Sequence, residues 1–99
     1  MEEPTVHVVT TLSTRPHAPE AFAGAMRELV QAGREVPGNR RFEAYQGTTD
    51  PREFVVIEVW ASEEAADAHL SAEHTEQAFV AIGPLLEQPS AIVRHVRVA

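Results

Sequence analysis

Residues 53–61 read Glu-Phe-Val-Val-Ile-Glu-Val-Trp-Ala, and this run limits the possible folds more than any other segment. Its β-branched residues suit a pleated strand better than a helix. Successive side chains along a strand point to opposite faces. Val55, Ile57 and Val59 therefore share one face, and Phe54, Val56 and Trp60 share the other, interrupted only by Glu58. A strand apolar on both sides needs cover on both sides. With 99 residues, the chain is one domain, residues 1–99, with a modest core. Its own helices cover one face. A second copy of the chain is the simplest cover for the other, so a homodimer is expected.

The other segments fit around this strand. Val6 to Leu12 reads as a strand ended by Pro16 and Pro19, with Pro19 suited to the first position of a helix. Phe22, Met26, Leu29 and Val30 form one stripe of an amphipathic helix over 20–34, with Gly33 near its stop. Val36-Pro37-Gly38-Asn39 is a turn, and residues 41–47 read as a second strand. Thr48-Thr49-Asp50-Pro51 joins it to the 53–61 strand as a hairpin. Ser62 is a good N-cap, with Glu63 and Glu64 in the favoured first turn of a helix to about Leu70. Ser71 is read as the cap of a further segment from Ala72 to Ile82, ended by Gly83-Pro84. Residues 91–98 make the last strand. The order β-α-β-β-α-β is the split βαβ, or ferredoxin-like, α+β arrangement: a four-stranded antiparallel sheet with helices on one face.

Composition removes several chemistries. The chain has no cysteine, hence no disulfide, thiolate nucleophile or cysteine metal site. All eight of its basic residues are arginine, so no lysine is present for a Schiff base. The net charge is −7, and residues 53–87 hold eight acids and no arginine. Such a surface repels phosphate backbones, so neither nucleic acid nor an anionic membrane is an expected partner. The apolar runs are too short to span a bilayer. Met1-Glu2-Glu3-Pro4 has no signal-peptide character, and a cytoplasmic protein is the expectation.

Few residues can carry chemistry. Trp60 ends a strand just before a helix, a common pocket position and equally a common core position. His69 and His74 are five apart, which is not the spacing that puts two imidazoles on one helix face. A break near Ser71 would let both rings reach one cavity. Otherwise they are surface histidines, and no metal site is expected. Imidazole is the natural general base near neutral pH. Glu58, mid-strand among apolar residues, needs a partner or a wet cavity. One hairpin register puts Arg41 and Tyr45 on the face of Glu58 and Trp60. A slip of one residue puts Phe42, Ala44 and Gln46 there instead. His7 and His95 read as structural, at edge-like strand positions, and His17 as exposed.

The run Val36 to Gln46, then Asp50-Pro51 to Trp60, then Ala61-Ser62-Glu63-Glu64-Ala65 and His69-Leu70-Ser71-Ala72-Glu73-His74, resembles the antibiotic biosynthesis monooxygenase family. That group of dimeric α+β barrels includes quinol monooxygenases. The Pro-Gly turn, the Glu-x-Trp strand end and the His-x-Ser-x-x-His segment carry the likeness, which spans nearly the whole chain. It implies a homodimer with a pocket between sheet and helices. It also implies oxygenation of a small electron-rich aromatic, a quinol, anthrone or polyketide-like molecule, without metal or flavin. Trp60 would be a pocket wall and indole donor, His69 and His74 candidate bases, and Phe42 and Phe79 pocket-lining residues. From the residues themselves, Tyr45 and Glu58 are candidate proton-transfer or orienting groups, and all four are expected to bind substrate. Val56 stands where aromatic-polyketide members carry asparagine. Thr10 and Phe79 stand where the haem-degrading branch carries asparagine and histidine, which argues against haem degradation.

Two further readings stand beside this one. The first is a non-catalytic dimeric domain that binds a small hydrophobic ligand or supports a partner enzyme. The second is an isomerase of the same family, although the few basic residues near the pocket weigh against a phosphorylated substrate. A pocket too small for a bicyclic molecule would count against the oxygenase reading.

Overall fold

The computed structural model describes residues 4–99, so Met1, Glu2 and Glu3, part of the segment read above for leader character, lie outside the described residues. The elements follow the order β1 (Val6–Ser13), α1 (Pro19–Arg34), β2 (Asn39–Gln46), β3 (Glu53–Trp60), α2 (Glu63–Leu70), α3 (Glu73–Ile82), a 3₁₀ turn (Gly83–Leu85) and β4 (Ala91–His95). The sheet is antiparallel throughout, in the order β2-β3-β1-β4. This is the ferredoxin-like topology, with the second helix divided in two. β1 is an inner strand, so of the histidine pair His7 and His95, which face each other across β1 and β4, only His95 is on an edge. None of the described helices is long and apolar enough to cross a membrane.

Local chemistry accounts for the boundaries. Pro19 opens α1 at its first turn, where a missing N–H is no loss. Phe22 and Met26 bury the stripe of α1 against the sheet, and Phe22 meets Phe54 of β3 with ring centroids 4.5 Å apart. The Ser62 hydroxyl accepts from the Ala65 N–H and caps α2. Ser71 closes α2 instead of opening the next helix, because its hydroxyl donates to the Asp67 carbonyl at 2.7 Å. α3 starts at Glu73 with no side-chain cap. β4 ends at His95, three residues short of the expected strand.

The hairpin register settles the two-way choice at β2. Phe42 pairs with Glu58, Ala44 with Val56 and Gln46 with Phe54, so these residues share the helix-covered face. Arg41 and Tyr45 lie on the opposite face, and Arg41 pairs with its neighbour Glu43 rather than with Glu58. Two glycines make the packing possible. Gly38 has φ +88°, a left-handed conformation, and its carbonyl accepts from the Ala61 N–H at 2.8 Å, which ties the start of β2 to the end of β3. Gly33 lets α1 approach the Phe42 ring: a Cβ there would sit 2.2 Å from Phe42 Cε2.

The two sheet faces differ in burial. Val6, Val8, Leu12, Phe42, Phe54, Val56 and Trp60 form the core under the helices. On the outer face, Val9, Val55, Ile57 and Val59 are only half-buried and Val93 is exposed.

Gly33→Ala is expected to destabilise the fold by about 1–3 kcal/mol, since the Phe42 ring must move to admit the methyl group. Gly24→Ala, which meets nothing within 4 Å, is expected to stabilise by about 0.5–1 kcal/mol through its helix propensity. Chemical denaturation of both variants checks the contrast.

Candidate active site

A cavity of about 50 Å³ lies between the helix-covered face of the sheet and the helices. The sheet contributes Val8 and Thr10 of β1, Val56, Glu58 and Trp60 of β3, and Ile92 and Arg94 of β4. The helices contribute Met26 of α1, His69 and Leu70 of α2, and Thr75 and Phe79 of α3. Most of this wall is apolar, and its polar groups gather around Glu58. Strand alternation explains why: Trp60, Glu58 and Val56 project to the same side, opposite Val6, Val8 and Thr10.

Trp60 is fully buried, and its indole N–H donates to Glu58 Oε1 at 2.9 Å. That N–H is committed to the carboxylate and is not free to donate to a ligand. The His69 ring stacks on the indole, with centroids 4.9 Å apart and planes 24° apart. Its Nε2 is 3.7 Å from Glu58 Oε1, longer than a direct hydrogen bond. Burial pushes the Glu58 carboxyl above the usual carboxylate range, against the opposing effects of the indole hydrogen bond and the charge of Arg94. Burial first, and the neighbouring His74 second, bring the His69 imidazole down to about 4. At neutral pH His69 is therefore uncharged, and its contact with Glu58 is not an ion pair.

The break between α2 and α3 brings the two histidines together. On one continuous helix, residues five apart point about 140° away from each other. Here the chain turns at Ser71 and Ala72, and His74 Nε2 comes within 3.2 Å of His69 Nδ1. Thr75 anchors the turn by donating its hydroxyl to the His69 carbonyl at 2.6 Å. Only His69 lines the main cavity. His74 opens instead into a separate shallow groove between α1 and α3.

The remaining expected site residues divide. Phe79 is 36% exposed and stands at the cavity rim with the exposed side chains of Leu70 and Ile92. Phe42 does not line the cavity. It is buried behind it, edge-on to Trp60 and to His69 with centroids 6.3 and 5.2 Å away. Tyr45 is 45% exposed on the other face of the sheet, so the expectation that it reaches the cavity is not met. Sequence reasoning missed Arg94 as a wall residue. Arg94 reaches across from β4 to Glu63 and Asp67 of α2, the latter at 2.7 Å. Its place two residues after Ile92 on the same face of β4 is the signal that could have found it. Among the described residues no three His, Asp or Glu side chains converge as metal ligands would.

The fold is a ferredoxin-like domain that places a buried carboxyl and imidazole on the wall of an apolar pocket. A model of the antibiotic biosynthesis monooxygenase family matches residues 5–81. The chain belongs to that family. It is 32% identical over 84 residues to the Bacillus subtilis (strain 168) protein named "Putative monooxygenase YcnE", a match covering 84% of this chain and 87% of that one. Two solved structures share the fold. A "Putative antibiotic biosynthesis monooxygenase from Nitrosomonas europaea" superposes with a TM-score of 0.92 at 23% identity, over 99% of this chain and 94% of its own. PA3566 from Pseudomonas aeruginosa superposes with a TM-score of 0.91 at 24% identity, over 100% and 99%.

The pKa shift of His69 has a definite sign in stability. An imidazole that protonates near pH 6.5 when unfolded but only near 4 when folded costs nothing above pH 6.5. Below that, the unfolded state gains a proton that the folded state refuses. Stability falls as pH drops from about 6.5 to about 4, by roughly 3 kcal/mol at most, and Glu58, with its raised pKa, partly offsets the loss. His69→Phe is expected to flatten this decline in denaturation curves measured across that range.

Proposed function

We propose that the protein is a homodimeric, cofactor-independent monooxygenase acting on a small, single-ring, electron-rich aromatic such as a quinol. The observation that carries this reading is the buried Glu58, held by the Trp60 indole and faced by a neutral His69, in an otherwise apolar cavity.

The chemistry suits such a site. Triplet oxygen reacts slowly with closed-shell molecules, but a phenolate can pass it an electron. Glu58, as carboxylate, accepts the proton of a substrate hydroxyl. Its raised pKa makes it a stronger base than an exposed glutamate. The phenolate and oxygen form a radical pair, which recombines to a peroxide on a ring carbon. The peroxide O–O bond then breaks. One oxygen stays on carbon as a carbonyl, and the other leaves as water with the ring hydrogen and a proton from solvent. The apolar walls keep bulk water from the anion, and the stacked Trp60 and His69 rings rigidify the floor.

Cavity size narrows the substrate. A cavity of about 150 Å³ holds one benzene ring. The cavity here, about 50 Å³, takes water or oxygen but not a ring until the rim side chains of Leu70, Phe79 and Ile92 part. This weighs against bicyclic and tricyclic anthrone-type substrates and favours one ring. It also favours the second reading, a binding module that closes when empty. Arg94 is the one arginine on the cavity wall among the described residues, and its engagement by Glu63 and Asp67 weighs against a phosphorylated isomerase substrate.

The outer sheet face supports the dimer. Val9, Val55, Ile57, Val59 and Val93 form an apolar surface of the kind that a second sheet covers. Light scattering is expected to give twice the chain mass, and Ile57→Glu to give monomers.

Oxygen consumption by the metal-stripped protein tests the activity against single-ring quinols, naphthols and anthrones. Single-ring quinols are expected to be consumed fastest, with Glu58→Gln losing at least about a hundredfold in kcat. Tight binding of such molecules with no uptake above the uncatalysed rate would favour the binding module instead.

A further inference from the structure

His69 stands between two compartments. Its Nε2 side faces Glu58 in the apolar cavity, and its Nδ1 side faces His74, 3.2 Å away. His74 is half-buried in the wall of a groove of about 230 Å³ on the other side of α3, with Glu28 and Leu29 of α1 and Gln77 and Ala78 of α3. Three proton-exchanging groups thus form a line from the apolar cavity to a second, wider groove. We propose that His69 and His74 are the proton exit of the cavity, carrying the proton taken up by Glu58 to solvent in the groove between α1 and α3. The proposal rests on the oxygenase reading for the source of that proton.

The hydrogen bonds around His69 set the direction. The Thr75 hydroxyl spends its hydrogen on the His69 carbonyl, so at 3.4 Å from His69 Nδ1 it offers only an acceptor lone pair. His74 Nε2 is a second acceptor to the same atom when its own hydrogen sits on Nδ1. Both favour the tautomer with hydrogen on Nδ1, which leaves the Nε2 lone pair facing Glu58. In the transfer, the Glu58 O–H bond breaks and an N–H bond forms at His69 Nε2. The Nδ1 hydrogen passes to His74 Nε2, and His74 releases its Nδ1 hydrogen to water. Each imidazole ends in the opposite tautomer with its charge unchanged, and ring rotation or reverse transfer resets it. The 3.7 Å gap closes by a turn of the carboxyl or through one water, which the cavity has room for.

The energetics are permissive. Burial raises the carboxyl and lowers the imidazole to about 4, so the proton rests on Glu58 and only passes through His69. The charged or titratable groups facing the line are Arg94 of β4 beside Glu58 and Glu28 of α1 beside His74.

The test needs no substrate. Trp60 is the only tryptophan, and its indole touches both Glu58 and His69, so its fluorescence reports their protonation. After a rapid jump from about pH 7 to about pH 4, the wild-type signal is expected to relax at least about tenfold faster than that of His74→Ala or His74→Gln. Added imidazole is expected to restore the alanine variant, whose missing ring leaves space, but not the glutamine variant. Glutamine keeps a hydrogen bond to His69 yet cannot relay a proton, so slow relaxation in it separates relay from mere support. Equal rates in all three proteins would overturn the proposal. So would a Trp60 signal indifferent to pH. In a parallel arm, wild-type turnover of any quinol is expected to fall in kcat but not KM on His74→Ala, with imidazole rescue. Absence of turnover in the wild type would sink the oxygenase reading, while the pH-jump rates would still decide the relay.

Discussion

A carboxylate placed mid-strand in an apolar layer has to be satisfied within that layer, and Glu58 is the residue whose needs organise this protein. Water cannot solvate it freely, since the core residues of β1, β2 and β3 close around it. The one strong donor it receives is the indole N–H of Trp60, two residues along the same strand and therefore on the same face. That bond in turn fixes the indole plane. The fixed plane is the platform on which His69 stacks, and Phe42 props both rings edge-on from β2. Gly33 and Gly38 then read as clearances, one for the Phe42 ring and one for the turn that starts β2 against α2.

The interruption of the second helix is the other half of the same arrangement. Had the chain run straight from Glu63 to Ile82, His74 would point well away from His69. Ser71 instead returns its hydroxyl to the Asp67 carbonyl, ending the ladder, and Thr75 returns its own to the His69 carbonyl, pinning the next segment close. Two short helices joined by a tight turn have smaller apolar faces than one long helix. In exchange they place a second imidazole against a buried one, an arrangement that a regular helix forbids at this spacing.

Elements were more legible in the sequence than the site. The double-faced apolar run at 53–61 exposed the sheet and its need for two covers, and turn residues located the hairpin and helix starts, because these signals are local. The register of β2 was not local. Whether Phe42 or Tyr45 lies beside Glu58 depends on how one strand slides on another, and both choices left an aromatic residue on the right face. Ser71 misled because serine hydroxyls cap either end of a helix. Arg94 escaped notice because its role exists only once β4 lies beside β1 and α2 lies over both. The Glu-x-Trp and His-x-Ser-x-x-His motifs pointed to the side chains that the fold gathers around Glu58. They did not show that the two histidines face different compartments.

The cluster is hard to explain as a stabilising feature. A small domain has little stability to spare. Burying a carboxyl raises its pKa, and burying an imidazole lowers its own, so at neutral pH the folded state holds a carboxylate it would rather protonate and, under acid, an imidazole it will not charge. Methionine or leucine at position 58 and phenylalanine at position 69 would pack the same volume without either penalty. Retaining both groups, side by side on the wall of an apolar cavity and linked through a second histidine to a groove, sets local function against global stability. Polar groups placed against the grain of a core in this way are where chemistry is expected to reside.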